Sequence, residues 1–435
     1  MESIWQANAQ RPDFPVLEGD CKTDVLIIGG GLAGLLTAYF LKERGVDCML
    51  VEAARICGGV SGKTAAKITS QHGACYHKLL RRFGSERTLA YYRANQQAVE
   101  KYRTLCKGID CDFREQQSFV YSRRYNGRIA REARALDKLD IPVRYFDRLP
   151  LPFEITGAIG FDGQAELDPL KFAYHIAKGL PIFENTKVLE LAEGRALTNR
   201  GSIRAEAIVV ATHFPILNKH GAYFLKMYQH RSYVLALQKA PQVRGMYVDE
   251  NKKGLSFRNA GDLLLLGGGS HRTGERGGGW RELTEFASLF YPRAEEVARW
   301  ATQDCMTLDD MPYIGQYSAR THGLYAITGF NKWGMTSSMV GAELLADLLT
   351  DCKNEYAGLF SPSRSILYPQ LAINGVKSAW NLITPTKPRC PHLGCALKYN
   401  PAEHSWDCPC HGSRFGEGGE LLDNPATDDH PSIGK

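Results

Sequence analysis

Residues 24–52 read DVLIIGGGLAGLLTAYFLKERGVDCMLVE, and the order of elements in this stretch decides the architecture. The apolar run 24–28 is of the kind that forms a strand buried on both faces of a parallel sheet. Gly29, Gly30 and Gly31 follow, then a helical pattern over 32–44, then a second apolar run, 48–51, closed by Glu52. Residues 25–41 carry no charge and are nearly long enough to span a bilayer, but three consecutive glycines would interrupt a membrane helix at its centre. A strand, a tight turn and a new helix require glycines at that point. The stretch therefore predicts a βαβ unit within an α/β fold. In the spacing Gly29-x-Gly31-x-x-Gly34 the first glycine permits the turn, the second lets the backbone approach a pyrophosphate, and the third lets the helix pack closely on the strand. The phosphates would sit at the helix N-terminus, where unpaired N–H groups favour an anion, and Glu52 can accept hydrogen bonds from a ribose. These features serve NAD and FAD equally.

The chain has 435 residues, a length that predicts two or three domains. With 44% apolar and 23% charged residues, global disorder is excluded. Lys+Arg 53 against Asp+Glu 47 gives a net charge of +6 without a dense basic block, so no nucleic-acid partner is expected. The N-terminal stretch lacks a basic segment followed by an apolar one, so the reading is a cytoplasmic protein without a secretory signal or transmembrane segment. Twelve cysteines in such a chain read as thiols or metal ligands rather than a disulfide framework; eight are scattered singly and four cluster near the C-terminus.

Further along, 82–107 is long, charged on one side and free of proline, and predicts a helix. The short β-prone runs 117–121, 233–237 and 263–266 predict a separate sheet, whereas 207–212 reads as a strand returning to the first one. A strand over 323–329 and a helix over 335–349 repeat the strand, loop, helix order of the N-terminus. Residues 351–386, with Pro362, Pro369 and Pro385, read as an irregular connector. A second glycine-rich stretch, 267–274, is not followed by a helical pattern and reads as strand and turn.

Four stretches, taken in order, resemble the D-amino-acid oxidase and glycine oxidase group of FAD-dependent oxidoreductases. The opening just described is the first. The second is Arg55-x-x-Gly58-Gly59-x-Ser61-Gly62-Lys63-Thr64, which resembles a pyrophosphate-contacting segment, with Lys63 where the group more often has arginine. The third is Thr198-x-x-Gly201 leading to Val209, Val210, Ala211 and Thr212, which resembles the strand near the adenine, with Val188 as the expected backbone contact. The fourth is Asp310-x-Pro312-x-x-Gly315 followed by Gly329 and the run Trp333-Gly334-Met335-Thr336, which resembles the closing motif on the flavin side. The resemblance implies FAD as cofactor, bound by Gly29, Gly31, Gly34, Glu52, Ser61, Gly62, Lys63, Thr64, Val188, Ala211, Thr212, Gly329, Trp333, Gly334, Met335 and Thr336. It also implies a Rossmann-like FAD-binding domain assembled from 20–90, 156–215 and 305–350, interleaved with a mixed-sheet substrate domain from 91–155 and 216–304.

At the C-terminus, Cys390-Pro391-His392-Leu393-Gly394-Cys395 and Cys408-Pro409-Cys410-His411-Gly412-Ser413 present two cysteines and two histidines as C-x-H and C-x-x-H. Two thiolates can bind one iron and two imidazoles another, the arrangement that separates Rieske centres from all-cysteine clusters. Zinc takes the same ligand types, but a zinc site leaves Cys395, Cys410, Gly394 and Gly412 without a role. The stretch resembles Rieske proteins, which implies a [2Fe-2S] cluster ligated by Cys390, His392, Cys408 and His411, and a disulfide between Cys395 and Cys410. The expected lobe, 387–435, is small and β-rich, shorter than a complete Rieske domain, and lacks the strands that normally precede the first ligand loop.

The implied activity is oxidation of an amine or amino-acid-like substrate by hydride transfer to flavin, with electrons leaving through the cluster to a one-electron acceptor, a protein or a quinone-like molecule. The alternative is an electron-transfer protein relaying between protein partners without a small-molecule substrate. Where amino-acid oxidases carry a carboxylate-gripping arginine ahead of the Asp310 motif, this chain reads Gln303-Asp304-Cys305-Met306-Thr307. Arg231 and Arg272 are candidate substitutes for that arginine, though each reads more readily as a surface or sheet-edge residue, and His230 and His271 are candidate acid–base groups with the same weak claim. No catalytic residue is assigned.

Overall fold

A computed structural model describes residues 1–217, 220–386 and 388–433. Along the chain run β1 (Cys21–Ile28), α1 (Leu32–Glu43), β2 (Cys48–Val51), α2 (Tyr76–Leu105), β3 (Arg114–Ser122), β4 (Gly157–Glu166), β5 (Gly201–Val210), β6 (Met227–Gln238), β7 (Leu263–Arg272), β8 (Glu295–Thr307), β9 (Leu324–Thr328), α3 (Gly334–Leu349) and α4 (Pro369–Ile383), with shorter elements between them.

The βαβ unit forms as its pattern requires. β1 pairs in parallel with β2 on one side and β5 on the other, setting Ile28 beside both Val51 and Val210. β9 joins in parallel beyond β5. Leu26 and Ile27 are fully buried because both faces of the sheet are covered, and each such aliphatic side chain contributes about 1.5–3 kcal/mol. α1 and α3 pack on one another. The carboxyl ends of these parallel strands therefore open at one edge, where α/β sheets bind their ligands.

The second sheet has nine strands, and β6 lies between β7 and β8, antiparallel to both. Its core is aromatic, with Phe119, Tyr233, Phe257 and Trp280 buried together. β4 lies within 156–215, the segment expected to belong to the FAD-binding part, yet it pairs antiparallel with β3 in this second sheet; an antiparallel return of that kind needs no crossover helix. α2 begins at Tyr76, ahead of the expected start, and bends at Gly84, whose φ is +78°.

Residues 351–386 are not irregular throughout, because α4 occupies most of the second half. Pro369 stands in its first turn, where a missing N–H costs nothing, and α4's apolar residues face outward, so the helix shows no core-directed stripe. After it comes a four-stranded antiparallel meander, β10 (Lys398–Asn400), β11 (Ser405–Asp407), β12 (Arg414–Gly416) and β13 (Leu421–Asp423). A helix, rather than strands, thus precedes the first cysteine loop. The expected ends of this lobe, Lys387 and Lys435, lie outside the described residues.

Candidate active site and cluster lobe

The turn after β1 is shaped by close backbone approach. Gly29 has φ +111°, and a Cβ there would lie 2.7 Å from the Ala211 carbonyl oxygen. A Cβ on Gly34 would fall 2.0 Å from the Gly29 oxygen, so that glycine lets α1 sit against the turn. Gly31 caps α1 with ordinary extended backbone, and a Cβ there would meet the Ser61 hydroxyl at 3.2 Å. That hydroxyl accepts a hydrogen bond from the Leu32 N–H, 2.9 Å, so the segment 55–64 is tied to the helix N-terminus. The Glu52 carboxylate accepts from the N–H groups of Gly30, 2.7 Å, and Ala54, 2.9 Å. Burial pushes its pKa up, against the opposing pull of those two N–H groups.

A cavity of about 650 Å³ opens from this turn, within the range of small-molecule sites. Gly29, Gly31, Glu52, Ser61 and Thr64 line its first wall, Val188, Ala211 and Thr212 the next, and Gly329, Trp333, Gly334 and Met335 a third. The four motifs that are far apart in sequence thus converge. Four expected residues stand behind the wall instead. Gly34 packs α1 on the turn, and Gly62 is pressed so close that a Cβ would lie 2.4 Å from the Cys57 carbonyl oxygen. The Lys63 carbonyl accepts from Trp300 Nε1 at 2.9 Å. The Thr336 hydroxyl is within 3.0 Å of His72 Nε2, and the His72 ring stacks on Trp333 with centroids 4.8 Å apart.

Sequence reasoning missed several lining groups. Lys67 is among them, pushed down to about 7 by burial and by the nearby Arg258 charge. Asp304 also lines the cavity, and burial raises its pKa. Lys332 donates from Nζ to the hydroxyls of Ser232, 2.7 Å, and Ser270, 2.5 Å, all three on the cavity wall. No signal at 67 or 304 marks these residues; only the fold places them. The candidate arginines prove to be neither surface nor substrate-facing. Arg231 is buried and pairs with Glu403 of the C-terminal lobe, Nε to Oε1 3.0 Å. Arg272, also buried, donates to the carbonyls of Pro409, 3.2 Å, and Cys410, 3.3 Å. His271 bonds Tyr233 and a backbone carbonyl, and burial, with nearby positive charge, pushes the His230 pKa down to about 2.

In the lobe, each ligand loop is a closed turn. Cys390 N–H donates to the Cys395 carbonyl and Gly394 N–H to the Cys390 carbonyl; Cys408 N–H donates to the Ser413 carbonyl and Gly412 N–H to the Cys408 carbonyl. Gly394 and Gly412 adopt φ of +76° and +89°, which glycine accommodates without strain. Cys390 and Cys408 are both buried. The rings of His392 and His411 lie 5.1 Å apart between centroids, and His411 Nδ1 is buried without a protein hydrogen-bond partner. A buried imidazole nitrogen without a partner, beside a second imidazole and two buried thiols, suits a binuclear iron site held by two side chains of each kind. Cys395 and Cys410 form a disulfide that joins the two loops.

The lobe is seated on the body. Gln229 Nε2 donates to the His411 and Asn424 carbonyls, 2.8 and 3.0 Å, and Gln303 Nε2 to the Gly412 carbonyl, 2.8 Å. Glu403 is held by Arg231 and Arg414, and Arg414 also bonds Asp407 and Asp423. Gly274, in the glycine-rich stretch read as strand and turn, has a specific use: a Cβ there would lie 2.5 Å from the Pro409 nitrogen. Asn424 Nδ2 donates to the carbonyls of Thr212, 2.6 Å, and Phe214, 2.8 Å, and residues 421–424, 426 and 427 wall the same cavity as the glycine turn.

A family model described as FAD dependent oxidoreductase matches residues 24–348, and one for the Rieske [2Fe-2S] domain matches residues 377–433. The chain is 33% identical to a putative Rieske 2Fe-2S iron-sulfur protein, YhfW, of Bacillus subtilis, over 98% of this chain and 96% of that protein. It is 24% identical to gamma-glutamylputrescine oxidoreductase of Escherichia coli, over 80% of this chain and 88% of that one. Among solved structures, glycine oxidase from Geobacillus kaustophilus superposes with a TM-score of 0.67 at 21% identity, covering 79% of this chain and 99% of that chain, a likeness of fold.

Proposed function

The chain belongs to the FAD dependent oxidoreductase family and ends in a Rieske [2Fe-2S] domain, and from that premise we propose that it oxidises an amine or amino-acid-like substrate at FAD and sends the electrons through the cluster to a one-electron acceptor. The observation that carries this reading is the shared wall: the cluster lobe lines the cavity that the glycine turn opens. When bound, FAD takes up a hydride from the carbon beside the substrate nitrogen and the cluster carries single electrons, chemistry that belongs to the cofactors.

The protein's part is placement. Gly29 and Gly31 leave room for the pyrophosphate at the start of α1, Glu52 would hold the ribose, and Ser61 and Thr64 would lie beside the phosphates. Val188, Ala211 and Thr212 flank the adenine side; Gly329, Trp333, Gly334 and Met335 flank the flavin side. Gly34, Gly62, Lys63 and Thr336 act from behind, by permitting close packing or by fixing His72 against Trp333. Cys390 and Cys408 would hold one iron, and His392 and His411 the other.

Asp304 and Lys332 are among the ionisable groups on the cavity wall. An acid in the region where amino-acid oxidases carry an arginine favours a cationic amine over a free α-carboxylate, and one relative is named for gamma-glutamylputrescine. Ten of the twelve cysteines lie outside the disulfide, which favours the reducing cytoplasm as the place of action. Anaerobic mixing with a panel of amines and amino acids tests the proposal. Bleaching of the flavin by an amine supports it, and Asp304→Asn should then raise KM for that amine more than it lowers kcat. Bleaching by a reduced protein partner alone would replace it with the relay.

A further inference from the structure

Helix α4 is amphipathic with its faces reversed. Its buried residues are Asn374 and Asn381. Asn374 Oδ1 accepts from Arg272 NH1, 2.9 Å, and Gln370 Nε2, 3.0 Å, while the Asn381 carbonyl accepts from the Ala396 N–H, 3.0 Å. The polar side of α4 therefore seats it on the body and on the first cluster loop. Ile373, Val376, Trp380 and Ile383 recur at the three- and four-residue steps of one helical face, and they are 47%, 71%, 67% and 72% exposed. Exposed apolar residues scattered singly need no explanation, but a stripe of four on one helix does. The stripe continues onto the cluster loop: Leu382 and Leu393 are exposed, and a Cβ on Gly394 would touch the Leu382 side chain at 3.9 Å.

Charge identifies the occupant. Between Glu355 and Glu403 the chain has no Asp or Glu, while Arg364, Lys377, Lys387, Arg389 and Lys398 fall in the same interval. Arg364 is neutralised by Asp309 and Lys377 by Glu275. Among the described residues, Arg389 donates to the carbonyls of Leu382, Thr384 and Gly394 and meets no carboxylate, so its charge stays beside the stripe; Lys398 is exposed. A second copy of this chain meeting the stripe face to face would bring these cations together. Anionic lipid headgroups would instead be attracted, and the indole of Trp380 suits the boundary between headgroups and acyl chains. No helix among the described residues is long and apolar enough to cross a membrane, so the geometry is that of a helix lying in the interface plane.

We propose that α4, with Leu393 at its flank, is a docking face for the surface of an anionic lipid bilayer. This goes beyond the redox reading and stands on the helix alone. Its use would be to bring the first cluster loop to the lipid surface, within reach of a lipid-soluble, quinone-like acceptor, and only that use depends on the proposed function.

The test takes the full chain with both cofactors and measures cosedimentation with vesicles of equimolar phosphatidylcholine and phosphatidylglycerol, and with phosphatidylcholine alone. The protein should bind the mixed vesicles, less so at high salt, and only weakly the neutral ones. Ile373→Ser, Val376→Ser and Trp380→Ser combined should weaken binding by roughly tenfold or more, with flavin and cluster absorption unchanged as the check on folding. Brominated lipid should quench fluorescence of the parent protein but not of Trp380→Phe. Failure of the parent to sediment, or equal sedimentation of the triple variant, overturns the proposal. So does a dimer in solution that the triple variant abolishes without any vesicle binding, which would assign the face to a second copy.

Discussion

The two cofactor sites are built on opposite principles. At the nucleotide end, the groups that set the shape are backbone atoms: Gly29, Gly31 and Gly34 work by lacking a Cβ, and the site opens onto a cavity of about 650 Å³. At the cluster end, the four side chains proposed as ligands sit in two closed turns tied by the Cys395–Cys410 disulfide, with Cys390 and Cys408 2% and 1% exposed. The first site should tolerate exchange of side chains but no added atom in the turn. The second should tolerate no exchange of a ligand, whatever its size. The sites meet through Asn424, whose side chain bonds the backbone at Thr212 and Phe214 while its own carbonyl accepts from Gln229.

The largest effect should come from Cys408→Ser, which removes one of the two thiols proposed to hold the cluster. Iron should fall from about two per chain, the count of a binuclear cluster, to none, while the flavin spectrum stays. Next, Gly34→Val forces a side chain into a point where even a Cβ would be 2.0 Å from the Gly29 oxygen. Overpacking of this kind costs about 1–3 kcal/mol or more, and the purified variant should lack bound FAD yet keep its iron. Retention of FAD by this variant would break the contrast between the sites.

Arg231→Met probes the seam. It leaves Glu403 with Arg414 as its one remaining guanidinium partner, and breaking a buried pair on one side costs about 3–5 kcal/mol. Denaturant unfolding should show that loss, limited proteolysis should cut faster within 351–386, and adding Glu403→Gln should recover part of it. A further effect concerns Lys67. Its pKa is pushed from 10.5 to about 7 by burial, so the unfolded chain holds this proton more readily than the folded one. Stability should therefore rise as pH climbs from about 7 towards 10.5, and Lys67→Met should flatten that rise in thermal unfolding measured across the range.

Much of the nucleotide site was legible because its signals are local. The step from 24–28 through the glycines to Glu52 can be read in one window, as can the two cysteine–histidine loops. What was not legible depends on contacts between distant segments. Nothing near Gln229, Gln303, Arg231 or Arg272 announces that they hold loops 109 to 182 residues away, and two arginines read as substrate or surface groups turn out to anchor the lobe. Residues 421–424, 426 and 427 carry no nucleotide motif, yet they wall the cavity. α4 escaped for a physical reason: its asparagines face inward and its aliphatics outward, the reverse of the pattern that marks a core helix.

The central claim is that both sites form one redox unit within a single chain. The direct measurement is flash photoreduction of the flavin under anaerobic conditions, with EDTA as electron donor, followed by EPR of the cluster at several protein concentrations. The reduced-cluster signal should grow as reduced flavin decays, at a rate independent of protein concentration. A cluster that stays oxidised, or a rate proportional to concentration, would contradict it.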